Sequence, residues 1–244
     1  MMNPAEFANI AAAERDLWWY RGMRDILFRL LDPLAPKYKR VLEAGCGTGY
    51  LTRTLRDRYK WNIVPFDLNT DSAREANTPS LVQGNITALP FESKSFEALL
   101  SIDVIPHLPR GLEHEAFAEF ARVLKPGGML VIRSAAFDAL RSRHSEFVHE
   151  VQRFTRAQLR DALTQAGFRI DRATYANSLL VPIAFLKFRL WEPLTRQAPQ
   201  SGVQPVSPWL DRLLYLPLHL ESKLIGSGGS LPVGQSIVLI AYKN

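Results

Sequence analysis

Val41 to Tyr50 reads VLEAGCGTGY, an apolar run that opens into glycine at every second position, Gly45, Gly47 and Gly49. No other stretch limits the fold of this chain as strongly. The apolar residues before the glycines suit a short buried strand, and YLTRTLRDRY after them places Leu51 and Leu55 one helical turn apart. Strand, glycine turn and helix in that order bring bare backbone close to a ligand, because no side chain stands in the way. In a doubly wound sheet such a turn lies at the carboxyl ends of the strands. The next β-prone run, WNIVPFD, ends at Asp67, 22 residues after Gly45. A carboxylate at that interval suits the hydroxyls of a ribose.

The glycine spacing argues against a dinucleotide. A G-x-G-x-x-G fingerprint needs glycine at position 50, where this chain has Tyr50. Glu43, just upstream, is awkward beside a pyrophosphate and more comfortable near a cationic ligand. An NAD-dependent oxidoreductase is therefore the weaker reading.

Beyond the turn, strands and helices alternate from about residue 40 to 134: LVQGN, FEALLSID and MLVIRS read as strands, and GLEHEAFAEFARVLKPGG as a helix stopped by Pro126, Gly127 and Gly128. This alternation predicts a parallel sheet covered by helices on both faces. Residues 11–31 read as mostly helical, with Gly22 a point where one unbroken helix is less secure. FTRAQLRDALTQAGFRI reads as a late helix, with Thr155 and Gln158 at capping-box spacing and Gly167 as its stop. FRIDRATY and QSIVLIAYK read as further strands. Between them, residues 177–230 hold two apolar, helix-like pieces around a polar loop, and Pro217 interrupts the second. The expected organisation is an N-terminal helical cap over 1–36, a core over 37–176 and 231–244, and an inserted segment over 177–230 that serves as substrate lid or interface.

Composition narrows the setting. A length of 244 residues suits one α/β domain with an elaboration. Cys46 is the single cysteine, so no internal disulfide forms, and a cytoplasmic location is expected. No secretory signal and no membrane-spanning run of 18 apolar residues is expected. The formal net charge of +6 comes from scattered arginines rather than from a basic block. No RNA-binding module is recognisable, so nucleic acid is disfavoured as a partner.

VLEAGCGTG resembles the cofactor-binding motif of class I S-adenosylmethionine-dependent methyltransferases. GNITALPFESKSFEALLS, ARVLKPGGMLVIR and RFTRAQLRDALTQAGFRI resemble later segments of the same family, and ERDLWWYRG resembles an N-terminal element of one bacterial subgroup. The resemblance implies a Rossmann-like, seven-stranded, mostly parallel sheet with its last strand, QSIVLIAYK, antiparallel. It implies S-adenosyl-L-methionine as cofactor. Gly45, Gly47 and Gly49 would line its methionine part, with Cys46 packed inside the turn and Glu43 organising the same pocket. Asp67 would bind the ribose. Asn85 would replace an aspartate that meets the adenine amino group, and Ile86 would either pack on the adenine face or belong to the core. Asp103 would lie near the methionine end, while Tyr20 would stack over the pocket and Arg21 meet the methionine carboxylate.

The implied activity is methyl transfer to a small, partly apolar acceptor. The competing readings are an RNA or lipid-linked acceptor and a non-catalytic binding or assembly subunit with the same fold. His107, just past the fourth strand, is the candidate general base, against a structural or lid role. His144 and His149 are spaced by five residues, not the four of a helical zinc pair, and no metal site is expected. The apolar and basic residues of 177–230 leave room for a peripheral membrane contact. The oligomeric state is not fixed by the sequence.

Overall fold

A computed structural model describes residues 2–195 and 197–244. In chain order, α1 (Pro4–Ala13) and α2 (Trp18–Leu31) precede β1 (Arg40–Ala44), α3 (Tyr50–Tyr59), β2 (Asn62–Asp67), α4 (Asp71–Glu75), β3 (Val82–Gln83) and β4 (Phe96–Ile102). Then come α5 (Leu112–Val123), β5 (Leu124–Ala135), α6 (Arg143–Phe147), α7 (Arg156–Gln165) and β6 (Phe168–Ala176). Helices α8 (Val181–Leu186), α9 (Glu192–Thr195) and α10 (Pro208–Gly226) lead to β7 (Ser236–Lys243). The strands form one sheet of order β3-β2-β1-β4-β5-β7-β6. Pairings among β1 to β5 are parallel, and β7 runs antiparallel to both β5 and β6. This is the expected seven-stranded Rossmann-like sheet with its last strand reversed.

Alternation along the strands sends successive side chains to opposite faces and builds two cores. Leu42, Leu99, Leu130 and Leu239 pack with Phe117 and Phe120 of α5 and Leu159 and Leu163 of α7. Val41, Leu100, Val131 and Ile240 face the other way, onto Met23 and Ile26 of α2, Leu55 of α3 and Leu218 and Ile225 of α10. The glycine turn and the ends of β2 and β4 emerge between these layers, at the carboxyl edge of the parallel strands. The late helix starts as expected: Thr155 and Gln158 form a reciprocal capping box.

Three expectations change. The helical break falls at residues 14–17, and α2 runs through Gly22 without interruption. Glycine is needed there for packing, because a Cβ at position 22 would lie 2.4 Å from Cβ of the fully buried Leu218. α10 likewise runs through Pro217. The carbonyl that proline leaves without a donor belongs to Leu213, an exposed residue, so solvent can take the donor's place. Segment 177–230 is also more than an insertion, since α10 supplies core residues beside α2. Gly22→Ala is therefore expected to cost about 1–3 kcal/mol through overpacking, despite alanine's better helix propensity, and chemical denaturation would measure it.

Candidate cofactor and active site

The turn after β1 is held by backbone. The N–H groups of Gly45 and Cys46 donate to the Phe66 carbonyl at 2.7 and 3.0 Å, locking the turn onto β2. Its glycines have positive φ, but their missing side chains serve different ends. A Cβ at Gly45 would lie 2.0 Å from Val104 Cγ2, and one at Gly49 would lie 2.2 Å from Thr78 Oγ1. Those two positions are filled by protein. At Gly47 a Cβ would meet only Phe7 Cε1, 4.0 Å away. Gly47 is thus where the backbone lies bare to a ligand, with Phe7 of α1 above it.

Asp67 controls that backbone. Its Oδ2 accepts from Gly47 N at 2.8 Å and its Oδ1 from Asn69 N at 2.9 Å. Burial pushes its pKa up, and these backbone donors pull it back. A cleft of about 380 Å³ opens between α1 and α4, lined in part by Phe7, Ala11, Asn69 and Ser72.

Glu43 is fully buried and accepts a hydrogen bond from the Thr52 hydroxyl of α3. It therefore ties β1 to α3 across the turn, organising the pocket. Burial lifts its pKa to about 8, with the Thr52 bond opposing the rise. The folded protein then holds Glu43 protonated where the unfolded chain ionises it. That stability is complete below the ordinary carboxylate range and is lost as pH rises towards about 8. Glu43→Gln is expected to flatten this loss, worth up to about 1.4 kcal/mol per pH unit, when urea midpoints are compared at acid and mildly alkaline pH. Cys46 is packed, and burial pushes its thiol well above the ordinary range.

The other candidates separate. Asn85 is exposed, and its Oδ1 accepts from Thr87 N at 3.1 Å in a local turn. Ile86 is buried in the core with Leu89 and Phe66. The exposed apolar side chain beside Asp67 is Leu68, 43% accessible. An apolar residue directly after the acidic strand end is the local signal that marks it.

Asp103, with φ of 57°, follows β4, and its Oδ2 accepts from Nε and Nη2 of Arg133 at 2.9 and 2.6 Å. The same guanidinium lies 5.2 Å from the Trp19 ring centroid, and Trp19 meets Tyr20 edge-on at 5.0 Å. The bulky WWY stretch thus reaches the carboxyl edge through Arg133. Burial, then the Glu6 and Glu14 carboxylates, push the Tyr20 phenol well above its ordinary pKa.

Arg21 pairs with Asp211 of α10 at 2.5 Å and stacks on Tyr215. Two residues not foreseen join the site. Arg133 is one, and Glu14 is the other, accepting from the Thr48 hydroxyl at 2.7 Å so that the N-terminal region is fastened to the glycine turn. Neither carries a local sequence signal, since both act across long separations.

His107 sits in a short turn after β4. Burial lowers its pKa, the nearby Glu150 opposing, and its Nδ1 is buried without a hydrogen-bond partner among the described residues. His144 is used structurally. Its Nδ1 accepts from Gly202 N at 2.9 Å and lies 3.7 Å from Glu6 Oε1, which also receives the Ser201 hydroxyl at 3.0 Å. This partly exposed knot joins α1, α6 and the loop before α10, with only Glu6 fully buried. Among the described residues no cluster of three or more His, Cys, Asp or Glu side chains could hold a metal ion.

Residues 42–132 match the family described as Methyltransferase domain. The chain is 27% identical over 215 residues to the 24-methylenesterol C-methyltransferase 2 of Arabidopsis thaliana, covering 80% of this chain and 54% of that protein. It is 40% identical over 108 residues to the fatty-acid O-methyltransferase of Mycolicibacterium smegmatis, covering 40% of this chain and 37% of the relative. The chain therefore spans about half or less of the length of these curated relatives. A solved S-adenosylmethionine-dependent methyltransferase from Archaeoglobus fulgidus superposes with a TM-score of 0.58 at 19% identity, covering 91% of this chain and 94% of that one. Sheet order, glycine turn and these matches together define a class I S-adenosylmethionine-dependent methyltransferase fold.

Proposed function

We propose that this protein transfers a methyl group from S-adenosyl-L-methionine to a small, partly apolar acceptor. The observation that carries the reading is the bare backbone at Gly47, held by Asp67 and roofed by Phe7, within this fold. The residues present fit the cofactor. Gly47 would face its methionine part, the Asp67 carboxylate its ribose hydroxyls, and Leu68 an apolar base face. Asp103, neutralised by Arg133, would border the methionine end. Relatives named for a sterol and a fatty acid support an apolar acceptor, as do the apolar residues exposed along 179–224.

When bound, the cofactor supplies a sulfonium-activated methyl group with a good leaving group already in place. The protein's contribution is then placement and exclusion of water. Phe7, beside Gly47, would shield the site from water, and His107 would be the residue that takes the acceptor's proton. His107→Gln is expected to lower kcat about 10- to 100-fold with cofactor affinity unchanged. Because burial lowers the His107 pKa, the base stays neutral into mild acid, and the acid limb of the wild-type kcat/KM profile should fall below about pH 6.5. The activity itself is tested by incubating the protein with methyl-labelled S-adenosylmethionine and a panel of small apolar hydroxy and amino compounds. Label in an organic-soluble product supports the reading. Cofactor binding with no transfer to any member would favour a binding subunit instead.

A further inference from the structure

α10 buries one side and leaves the other bare. Leu218 and Ile225 enter the core, while Trp209, Leu213, Leu216, Leu220 and Leu224 recur at steps of four and three and are each about half or more exposed. Trp209 alone is 66% accessible. The preceding segment repeats the pattern. Ile183, Leu186, Leu190 and Leu194 follow the same steps with Ala184 buried beneath them, and Leu194 is 79% accessible. The two faces are tied together, since Glu221 of α10 accepts from the N–H groups of Ser178 and Leu179 at 2.7 Å. Two such regular stripes of exposed apolar side chains mark a contact surface rather than ordinary scatter.

Charge selects the occupant. Residues 177–233 contain three acids, Glu192, Asp211 and Glu221, and all three are spent inside the fold. Glu192 accepts from Arg143 N, Asp211 from Trp18 N and Arg21, and Glu221 from the start of α8. Lys187, Arg189, Arg212 and Lys223 are exposed. The outward charge of this apolar face is therefore basic. A second copy of the chain would bring like charges together, whereas anionic headgroups would complement them. No described helix is long and apolar enough to cross a membrane, so the contact lies in the interface plane.

We propose that the exposed apolar faces of residues 183–194 and of α10, with their basic flanks, dock this protein on an anionic phospholipid surface. The segment is also fastened to α1 and to the region after β5. Arg189 donates to the Ala139 carbonyl at 2.8 Å, Gly202 to His144, and Ser201 to Glu6 of α1. Docking would hold the mouth of the site close to the lipid, where an apolar acceptor dissolves. This deepens the methyltransferase reading, but its test needs no methyl donor, so the two can fail separately.

The test is flotation of the full chain with phosphatidylcholine vesicles, with and without phosphatidylglycerol. Binding is expected with phosphatidylglycerol, weakened by salt. Leu216→Gln with Leu220→Gln, both at exposed positions, should reduce it at least about tenfold. Arg212→Gln with Lys223→Gln should remove the preference for anionic lipid while circular dichroism stays unchanged. The proposal is overturned if the wild type fails to float with anionic vesicles or if the leucine variant floats equally well. It is equally overturned if light scattering shows a dimer that the leucine variant splits, which would assign the face to a second copy.

Discussion

Gly47→Ala should abolish most cofactor binding and leave a folded protein. Its Cβ would enter the open space beneath Phe7 and touch no other side chain, so the fold bears only the cost of alanine at a φ of 54°, about 1–2 kcal/mol. The same methyl group would stand where the ligand's chain has to approach backbone, and affinity for S-adenosylhomocysteine should fall on the order of 100-fold. Gly45→Ala is the contrasting variant. Its Cβ would sit 2.0 Å from Val104 Cγ2 at a φ of 97°, so the loss is one of stability, about 3 kcal/mol or more. Calorimetric titration paired with thermal melts separates the two. Equal binding loss with equal destabilisation would mean that Gly47 is only a turn residue.

Asp67→Ala is expected to have a comparable effect on binding, on the order of 100-fold, by two routes. It removes the acceptor proposed for the ribose hydroxyls, and it releases Gly47 N and Asn69 N from the carboxylate that fixes them. Asp67→Asn keeps one oxygen and the shape of the side chain, so its loss should be intermediate. Titrating both variants with S-adenosylhomocysteine checks the order. An unaffected Asp67→Ala variant would place the ligand elsewhere.

The sheet and the turn were legible because they depend on local pattern. Glycines at every second position after VLEA, and an acid ending the next strand, are short-range features. So are the capping box at Thr155 and the β-prone QSIVLIAYK. What escaped depends on contacts far apart in the chain. Gly22 looked like a weak point because its partner, Leu218, lies on another helix. Pro217 looked like an interruption because the exposure of Leu213 was not visible. The Arg21–Asp211 pair spans 190 residues, so no local pattern reveals it. The division of labour among the three glycines also needed coordinates. Spacing marks all three alike, while Val104 and Thr78 fill two of the positions and leave Gly47 open.

The fold explains why the site sits where it does. Parallel strands β1, β2 and β4 end together, so the glycine turn, Asp67 and Asp103 converge although they are far apart in sequence. Glu14, just after α1, holds the turn through Thr48, and the Trp18–Tyr20 stretch reaches Asp103 through Arg133. The central claim is that this pocket takes S-adenosylmethionine. The most direct measurement is calorimetric titration of the wild-type chain with S-adenosylmethionine and S-adenosylhomocysteine, with NADH alongside. One site is expected, with Kd on the order of micromolar for both sulfur ligands and no heat from NADH. A folded protein that binds neither sulfur ligand, or that binds NADH in their place, would contradict it.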